Sequence, residues 1–310
     1  MNSLAWIVPT YPPRKDFLSR LLLTFESFSH GTDLVVVWSY HRDNFLISET
    51  HNNVVHLYLE NHFLKSEIEI FEKTKSIINI KYVFAIILLH QKYEGLVGTD
   101  DELEFIRSFS GAEIIEKMRK VNQFPATDVS EQNVKDNVFE RVLNECAKLL
   151  EDKHDQNAIK ELTDNYKQFS WFADIPFYDS ELVPNFLKSF GLTDIKDLTK
   201  LNYYTFHHIL YQYFCVLRGL KNFHCFDWEY KQIGVYNWFE CFHLENARHI
   251  KAKQYQEMFR PLWCSSFKLP SIFENAICVF HTDRIDLKVS RINLAKHHIK
   301  SLIRIYIPNI

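Results

Sequence analysis

Glycine is scarce in this chain. Seven stand among 310 residues, at positions 31, 95, 98, 111, 191, 219 and 234. These spacings build neither a GxGxxG dinucleotide turn nor a glycine-rich loop closing on Lys-Ser or Lys-Thr. A protein of this sequence that handles phosphate must use side chains and metal instead of a glycine cradle. None of the six cysteines, at 146, 215, 225, 241, 264 and 278, forms a CxxC pair. That argues against a zinc ribbon or a thioredoxin-type site and predicts free buried thiols in a reducing compartment. GxSxG and HExxH are absent, so neither a nucleophile-elbow hydrolase nor a zincin is supported. Long apolar runs are absent too: the most apolar, near Val83 to Leu89, is far short of the roughly 20 residues of a bilayer span. Met1 to Pro13 carries no charged n-region and no long apolar stretch, so no signal peptide is expected and the cytoplasm is the expected compartment. Nor is there an excess of one charge. A net charge of −3 gives no general attraction to nucleic acid.

What the chain does have is apolar and aromatic mass. Hydrophobic residues make up 46% and aromatic residues 15%, with 26 phenylalanines, enough for a stiff core and for rings lining a cleft. The first third alternates strand and helix patterns. Leu4 to Val8 is an apolar run stopped by Pro9, Pro12 and Pro13, and predicts a buried strand entering a loop. Phe17, Leu21, Phe25 and Phe28 recur at helical spacing. Asp33 to Ser39 holds a β-branched run expected of a strand buried on both faces, and Val54 to Leu59 repeats the signal. Ile77 to His90 predicts a helix, and Tyr93 to Thr99 a strand running into Asp100-Asp101-Glu102. This order predicts an α/β fold with a mostly parallel Rossmann-type sheet flanked by helices. Ligands of such sheets sit beyond the carboxyl ends of the strands, where Thr10, Tyr11, Ser39, Tyr40 and Asp100 are expected. Pro125 to Lys167 predicts a helical insertion, with Val138 to Leu150 its clearest helix. Trp171 to Tyr178 predicts a loop or cleft edge, and Asn202 to Leu217 an aromatic-rich helix. The expected organisation is a nucleotide-binding α/β part over 1–110 and an acceptor-binding part over 111–310, together completing one continuous domain.

The chemistry concentrates in Gly98-Thr99-Asp100-Asp101-Glu102. Adjacent carboxylates repel one another and are comfortable when a cation neutralises them. Hard oxygen ligands suit magnesium or manganese, which would bridge carboxylate and diphosphate. The plainer alternative is an acidic first turn of a helix, complementing its dipole.

This segment resembles the DxD motif of A-type-fold (GT-A) nucleotide-sugar-dependent glycosyltransferases, over roughly residues 3 to 110. Val8-Pro9-Thr10-Tyr11 matches that superfamily's nucleotide-holding loop after the first strand. Asn79 and Lys81, on the helix ahead of the motif, fall where such enzymes contact the sugar or phosphates. Asp100 and Glu102 take the outer motif positions, with Glu in place of the usual last Asp. The resemblance implies a donor site at Pro9, Thr10, Tyr11, Ser39, Asn79, Lys81, Asp100 and Asp101. It implies Mn2+ or Mg2+ held by Asp100 and Glu102, with a histidine from the C-terminal part. His281, after the apolar run Ile277 to Phe280, is the choice for that histidine. A general base for an acceptor hydroxyl is sought among carboxylates set in aromatics, namely Asp174, Asp227 and Glu240.

The activity so implied is transfer from a UDP or GDP sugar to a glycan or lipid-linked acceptor, in surface polysaccharide synthesis. Lys288 to Arg304 is a basic amphipathic segment, suited to peripheral contact at the inner face of a membrane or to docking a partner. The aromatic content also suits a homodimer interface. Two other readings compete: a metal-dependent nucleotidyl- or phosphoryl-transfer enzyme, and a non-enzymatic interaction protein whose acidic triplet is a helix cap. The adjacent pair His207-His208 does not share a helical face and makes a poor chelate.

Overall fold

The computed structural model describes residues 3–46, 51–101, 103–105, 108–120, 122–128, 138–166, 168–169, 176–225, 235–236, 241–242 and 278–280. The chain divides into two compact units. One comprises Met1–Asp101 and Phe109–Phe226, the other Glu102–Ser108 and Asp227–Ile310. These boundaries differ from the expected division at residue 110, because residues well past it complete the sheet of the first unit.

In the first unit the chain forms β1 (Leu4–Pro9), α1 (Lys15–Phe28), β2 (Ser29–His30), β3 (Thr32–Trp38), β4 (Val54–Tyr58), α2 (Lys65–Lys73), α3 (Ile77–Leu89) and β5 (Gly95–Gly98). β6 (Leu103–Phe105) belongs to the second unit. The first unit resumes with β7 (Phe109–Ser110), α4 (Gly111–Lys120), β8 (Gln123–Asp128), α5 (Val138–Lys148) and α6 (Lys153–Tyr166). It ends with β9 (Gln168–Phe169), β10 (Phe177–Asp179), α7 (Val183–Ser189), α8 (His207–Leu217) and β11 (Asn222–Cys225). The second unit adds β12 (Val235–Tyr236), β13 (Cys241–Phe242) and β14 (Cys278–Phe280). Its strands form a sheet of order β12-β13-β14-β6.

The principal sheet has the order β10-β5-β1-β3-β4. β1 runs parallel to β3 and β5, β3 runs parallel to β4, and β10 closes the β5 edge antiparallel. The α/β class and the mostly parallel sheet are therefore as the sequence predicts. Side chains alternate across the sheet. Ala5, Ile7, Val35 and Val37 join one buried cluster with Ile80, Val83 and Phe84 of α3. On the other parity, Trp6 meets the Phe109 ring edge-on at 5.6 Å.

α3 is buried from Asn79 to Ile86 and again at Leu89. Its isoleucines and valine cost helix propensity, up to about 0.7 kcal/mol each. Burying such a side chain contributes about 2 kcal/mol, so packing decides the conformation. The segment expected as a loop or cleft edge before Tyr178 ends instead in strand β10, since the open edge of β5 offers Gly95 to Val97 as partners. Residues 170–175 lie outside the described residues. Among the described residues, no helix is long and apolar enough to cross a membrane.

Candidate functional site

The strand order reverses at β1. From β1 the chain moves to β3 and β4 on one side, then returns to place β5 on the other. Such a switch point opens a crevice beyond the carboxyl ends of the two diverging strands. Here those ends are Pro9-Thr10 and Gly98-Thr99-Asp100-Asp101. Backbone bonds hold them level: Thr10 N–H donates to Val37 O at 3.2 Å and Thr99 N–H to Ile7 O at 3.0 Å.

The two acidic residues after β5 have separate environments. Asp101 is 3% exposed. Its Oδ2 accepts from the Thr10 hydroxyl at 2.8 Å, and its Oδ1 accepts from Arg14 Nε at 2.9 Å and pairs with Arg14 Nη2 at 2.7 Å. The Arg14 guanidinium also lies over the Phe17 ring, 4.7 Å from its centroid. Asp101 therefore clasps the loop after β1 to the end of β5. Both of its oxygens are engaged within the protein.

Asp100 is exposed, and its Oδ1 accepts from the Tyr82 hydroxyl at 3.0 Å. Burial, then the charge and hydrogen bond of Asp100, push the Tyr82 phenol far above its ordinary value, so it stays a donor. The Tyr82 ring stacks on His207, with centroids 3.7 Å apart and planes 26° apart. His207 Nδ1 is bonded in turn to the Tyr178 hydroxyl. Gly98 makes room for this arrangement. A Cβ there would stand 3.2 Å from Tyr82 Cε1 and 3.3 Å from His207 Cε1.

Lys81 is buried, and its Nζ donates to the Thr10 carbonyl at 2.7 Å. Burial brings its ammonium down to about 8, although Asp43, Glu72 and Asp101 act in the opposite direction. Lys81 thus braces the same loop that Asp101 clasps. Asn79, 3% exposed, donates from Nδ2 to the carbonyls of Asn202 at 3.0 Å and Tyr203 at 3.2 Å. Its amide ties α3 to the segment before α8.

No protein-family profile matches the chain, and no curated protein matches it in sequence. Solved structures are similar to it in chain trace. One is mouse xyloside xylosyltransferase 1 in its apo form, at 10% identity and a TM-score of 0.39, covering 91% of this chain and 97% of that one. Another is the glycosyltransferase GlyE of Streptococcus pneumoniae, at 7% identity and a TM-score of 0.41, covering 96% of this chain. The apo form of GlyE gives 8% identity and a TM-score of 0.42. This chain spans 61% of the length of GlyE.

The structure brings together Pro9, Thr10, Lys81, Asp100 and Asp101 of the predicted site. Tyr11, 45% exposed, follows Thr10 on the same loop. Ser39 directly follows β3 and is buried, its carbonyl accepting from Glu60 N–H at 3.2 Å. Glu102, Asp174, Asp227, Glu240, His281 and the segment 288–304 lie outside the described residues. Arg14, Tyr82, His207 and Tyr178 were not picked out from the sequence as parts of this site. Arg14 had one available signal, as the first cation after the Pro12-Pro13 turn; Tyr82 had only its place beside Lys81.

Asp100 is exposed and carries hard carboxylate oxygens, the donor type that magnesium and manganese take. Among the described residues, no group of three or more His, Cys, Asp or Glu side chains is arranged to hold a metal ion. A cavity of about 500 Å³ lies elsewhere, lined by Glu151, Asp152, Asp155, Lys188, Phe214, Arg218 and neighbours. None of the predicted site residues lines it. Its Asp155 is already paired with Arg218 at 2.8 Å, so the strand-end crevice is the better candidate on chemistry.

Proposed function

We propose that this chain is a metal-assisted glycosyltransferase using a UDP or GDP sugar as donor. The observation that carries the reading is an exposed carboxylate, Asp100, at the switch point between β1 and β5, directly across from the Pro9-Thr10-Tyr11 loop. A divalent ion bound there would neutralise charge on the departing nucleoside diphosphate. Asp100 supplies one oxygen ligand. Glu102 and His281 are the further ligands proposed from the sequence. Tyr11 presents a ring to the nucleotide. Thr10, Arg14 and Asp101 fix the loop that carries it, so the loop is ordered before the donor arrives, which lowers the entropic cost of binding.

The acceptor is proposed to be a glycan or a lipid-linked sugar in surface polysaccharide synthesis at the cytoplasmic side of a membrane. Asp174, Asp227 and Glu240 are the proposed candidates for the base that takes the acceptor hydroxyl proton. Residues 288–304 are the proposed peripheral membrane contact.

A thermal-shift screen of nucleoside diphosphates and their sugars, with and without manganese, tests the reading. Ligand at a hundred times its dissociation constant adds about 2.7 kcal/mol to native stability. The expected result is a manganese-dependent rise with one nucleotide that disappears in Asp100→Ala. A folded protein that responds to no nucleotide would remove the proposal and favour an interaction protein.

A further inference from the structure

The short segment before α8 presents aromatic rings on a stiff mount. Tyr203 is 44% exposed, and Tyr204 and Phe206 beside it are half-buried. The Tyr203 ring meets Tyr204 at 5.0 Å and Phe206 at 6.2 Å, both in edge-to-face geometry. Asn202 N–H donates to the Thr205 hydroxyl at 2.8 Å, and Asn202 Oδ1 accepts from Tyr204 N–H at 2.8 Å. Asn202 Nδ2 donates to Glu145 Oε2 of α5 at 2.9 Å, and the Asn79 amide holds the carbonyls of Asn202 and Tyr203. A turn pinned at so many points keeps its exposed ring in one place, so little freedom is lost when a ligand covers it.

The mount also sets where the ring stands. Asn79 of α3 grips Tyr203, and His207, four residues on, stacks on Tyr82 of the same helix. Asn79 and Tyr82 lie about one helical turn apart, and the Tyr82 hydroxyl reaches Asp100. The rings therefore flank the strand-end crevice. They do so on the β5–β10 side, since His207 is bonded to Tyr178 of β10, and the Pro9-Thr10-Tyr11 loop of β1 lies across β5 from them. The patch is not built for phosphate: its cation, Arg141, lies over the Tyr204 ring and donates to the Tyr204 hydroxyl. Ile78, next to Asn79 and 48% exposed, adds apolar surface. Such a surface suits the uncharged participant in the reaction. A pyranose has a face of C–H bonds and a rim of hydroxyls, and tyrosine answers it with an apolar ring and a polar tip.

We propose that Tyr203 is the acceptor platform, its ring stacking on the C–H face of a neutral sugar residue of a glycan, with Tyr204 and Phe206 steadying it. This inference rests on the reading of the crevice as a sugar-donor site, and it names the flank on which the acceptor lies.

The test applies the full chain, with manganese and UDP and separately with manganese and GDP, to an array of neutral mono- and oligosaccharides. The strongest binder is then titrated by calorimetry. The native chain should bind at least one neutral sugar, and Tyr203→Ala should bind it about tenfold more weakly, as when an aromatic anchor is truncated. Tyr203→Phe, which keeps the ring, should retain most of the affinity. The manganese-dependent nucleotide response should be the same in Tyr203→Ala as in the native chain, which also checks that the variant folds. Unchanged sugar affinity in Tyr203→Ala, equal losses in the Ala and Phe variants, or a native chain that binds none of the sugars overturns the proposal and leaves the donor reading intact. Loss of the nucleotide response in a folded Tyr203→Ala also overturns it, since the ring would then serve the donor. A native chain that answers to no nucleotide removes the donor reading, and the acceptor role of Tyr203 falls with it even if sugar binding remains.

Discussion

Asp101 takes Arg14 on one carboxylate oxygen and Thr10 on the other. The pair is largely dry, with the Arg14 side chain 11% exposed and that of Asp101 4% exposed. Its neighbour Asp100 is exposed and accepts from the Tyr82 hydroxyl. Two adjacent aspartates thus divide the work, one holding the loop and the other facing the crevice.

Removing the inner one should cost more stability. Taking one partner from a buried ion pair leaves the other charge uncompensated, at roughly 3 kcal/mol or more. Losing the bond to Asp100 costs about 1 kcal/mol. Urea unfolding of Asp101→Ala and Asp100→Ala should therefore show the larger loss at 101. The reverse order would mean that the clasp does not form.

Lys81 predicts a rise of stability in alkali. Its folded value, about 8, lies below its ordinary 10.5. Between these values the unfolded chain keeps a proton that the native chain has released, so raising the pH favours the native state. The slope is at most about 1.4 kcal/mol per pH unit for one proton. Tyrosines of the unfolded chain ionise toward the top of this range while buried ones keep their protons, so the measurement is a difference. The stability of the native chain minus that of Lys81→Met should increase from pH 8 to pH 10.5. A flat difference would show that Lys81 holds its proton as an exposed lysine does.

His207 predicts the opposite flank. Burial, then the neighbouring His208, holds its imidazole well below 6.5. As the pH falls through 6.5 the unfolded chain gains a proton there that the native chain refuses, and the native state loses stability. The native chain should lose more stability between pH 7 and pH 5 than His207→Phe, which keeps a ring under Tyr82. Equal losses in the two proteins would place His207 in water.

Glycine contacts predict a ranking. A Cβ at Gly111 would meet the Gly31 carbonyl oxygen at 2.8 Å and Leu4 Cβ at 2.9 Å. At Gly98 the nearest atoms are side-chain carbons at 3.2 Å. Backbone yields less readily than a ring edge, and overpacking costs about 1 to 3 kcal/mol. Gly111→Ala should therefore lower the melting temperature more than Gly98→Ala. Gly98→Ala should instead disturb the Tyr82–His207 stack, visible as a change in aromatic circular dichroism.

The principal sheet was legible where burial writes a continuous apolar run, as at Leu4 to Val8 and in the Leu-Val-Val-Val-Trp of β3. The helix over Ile77 to Leu89 was legible from its length. β10 was not, because three residues beside a proline carry no period, and only the open edge of β5 makes them a strand. α2 escaped notice because Ile68 and Phe71 are the only residues it buries. In the site, residue type identified the acidic cluster and the loop after β1. It could not distinguish Asp100 from Asp101, since their roles depend on Arg14 and Tyr82, which reach them from α3 and from the loop before α1. Asn79 is expected at the donor from its place on α3; the carbonyls its amide reaches, at 202 and 203, lie more than a hundred residues away and carry no signal near it in sequence.

The antiparallel seam between β5 and β10 bears on how the chain is made. A ribosome that has just completed β5 has yet to synthesise β10, and α8 comes later still. Until then the nascent sheet keeps Gly95 to Val97 unpaired along one border, and α3 lacks the carbonyls that Asn79 grips. An unpaired border of this kind invites pairing with other chains. A fragment ending near residue 110 would carry that same border permanently. It should be recovered from inclusion bodies or bound to chaperones, and it would serve poorly as a detachable module.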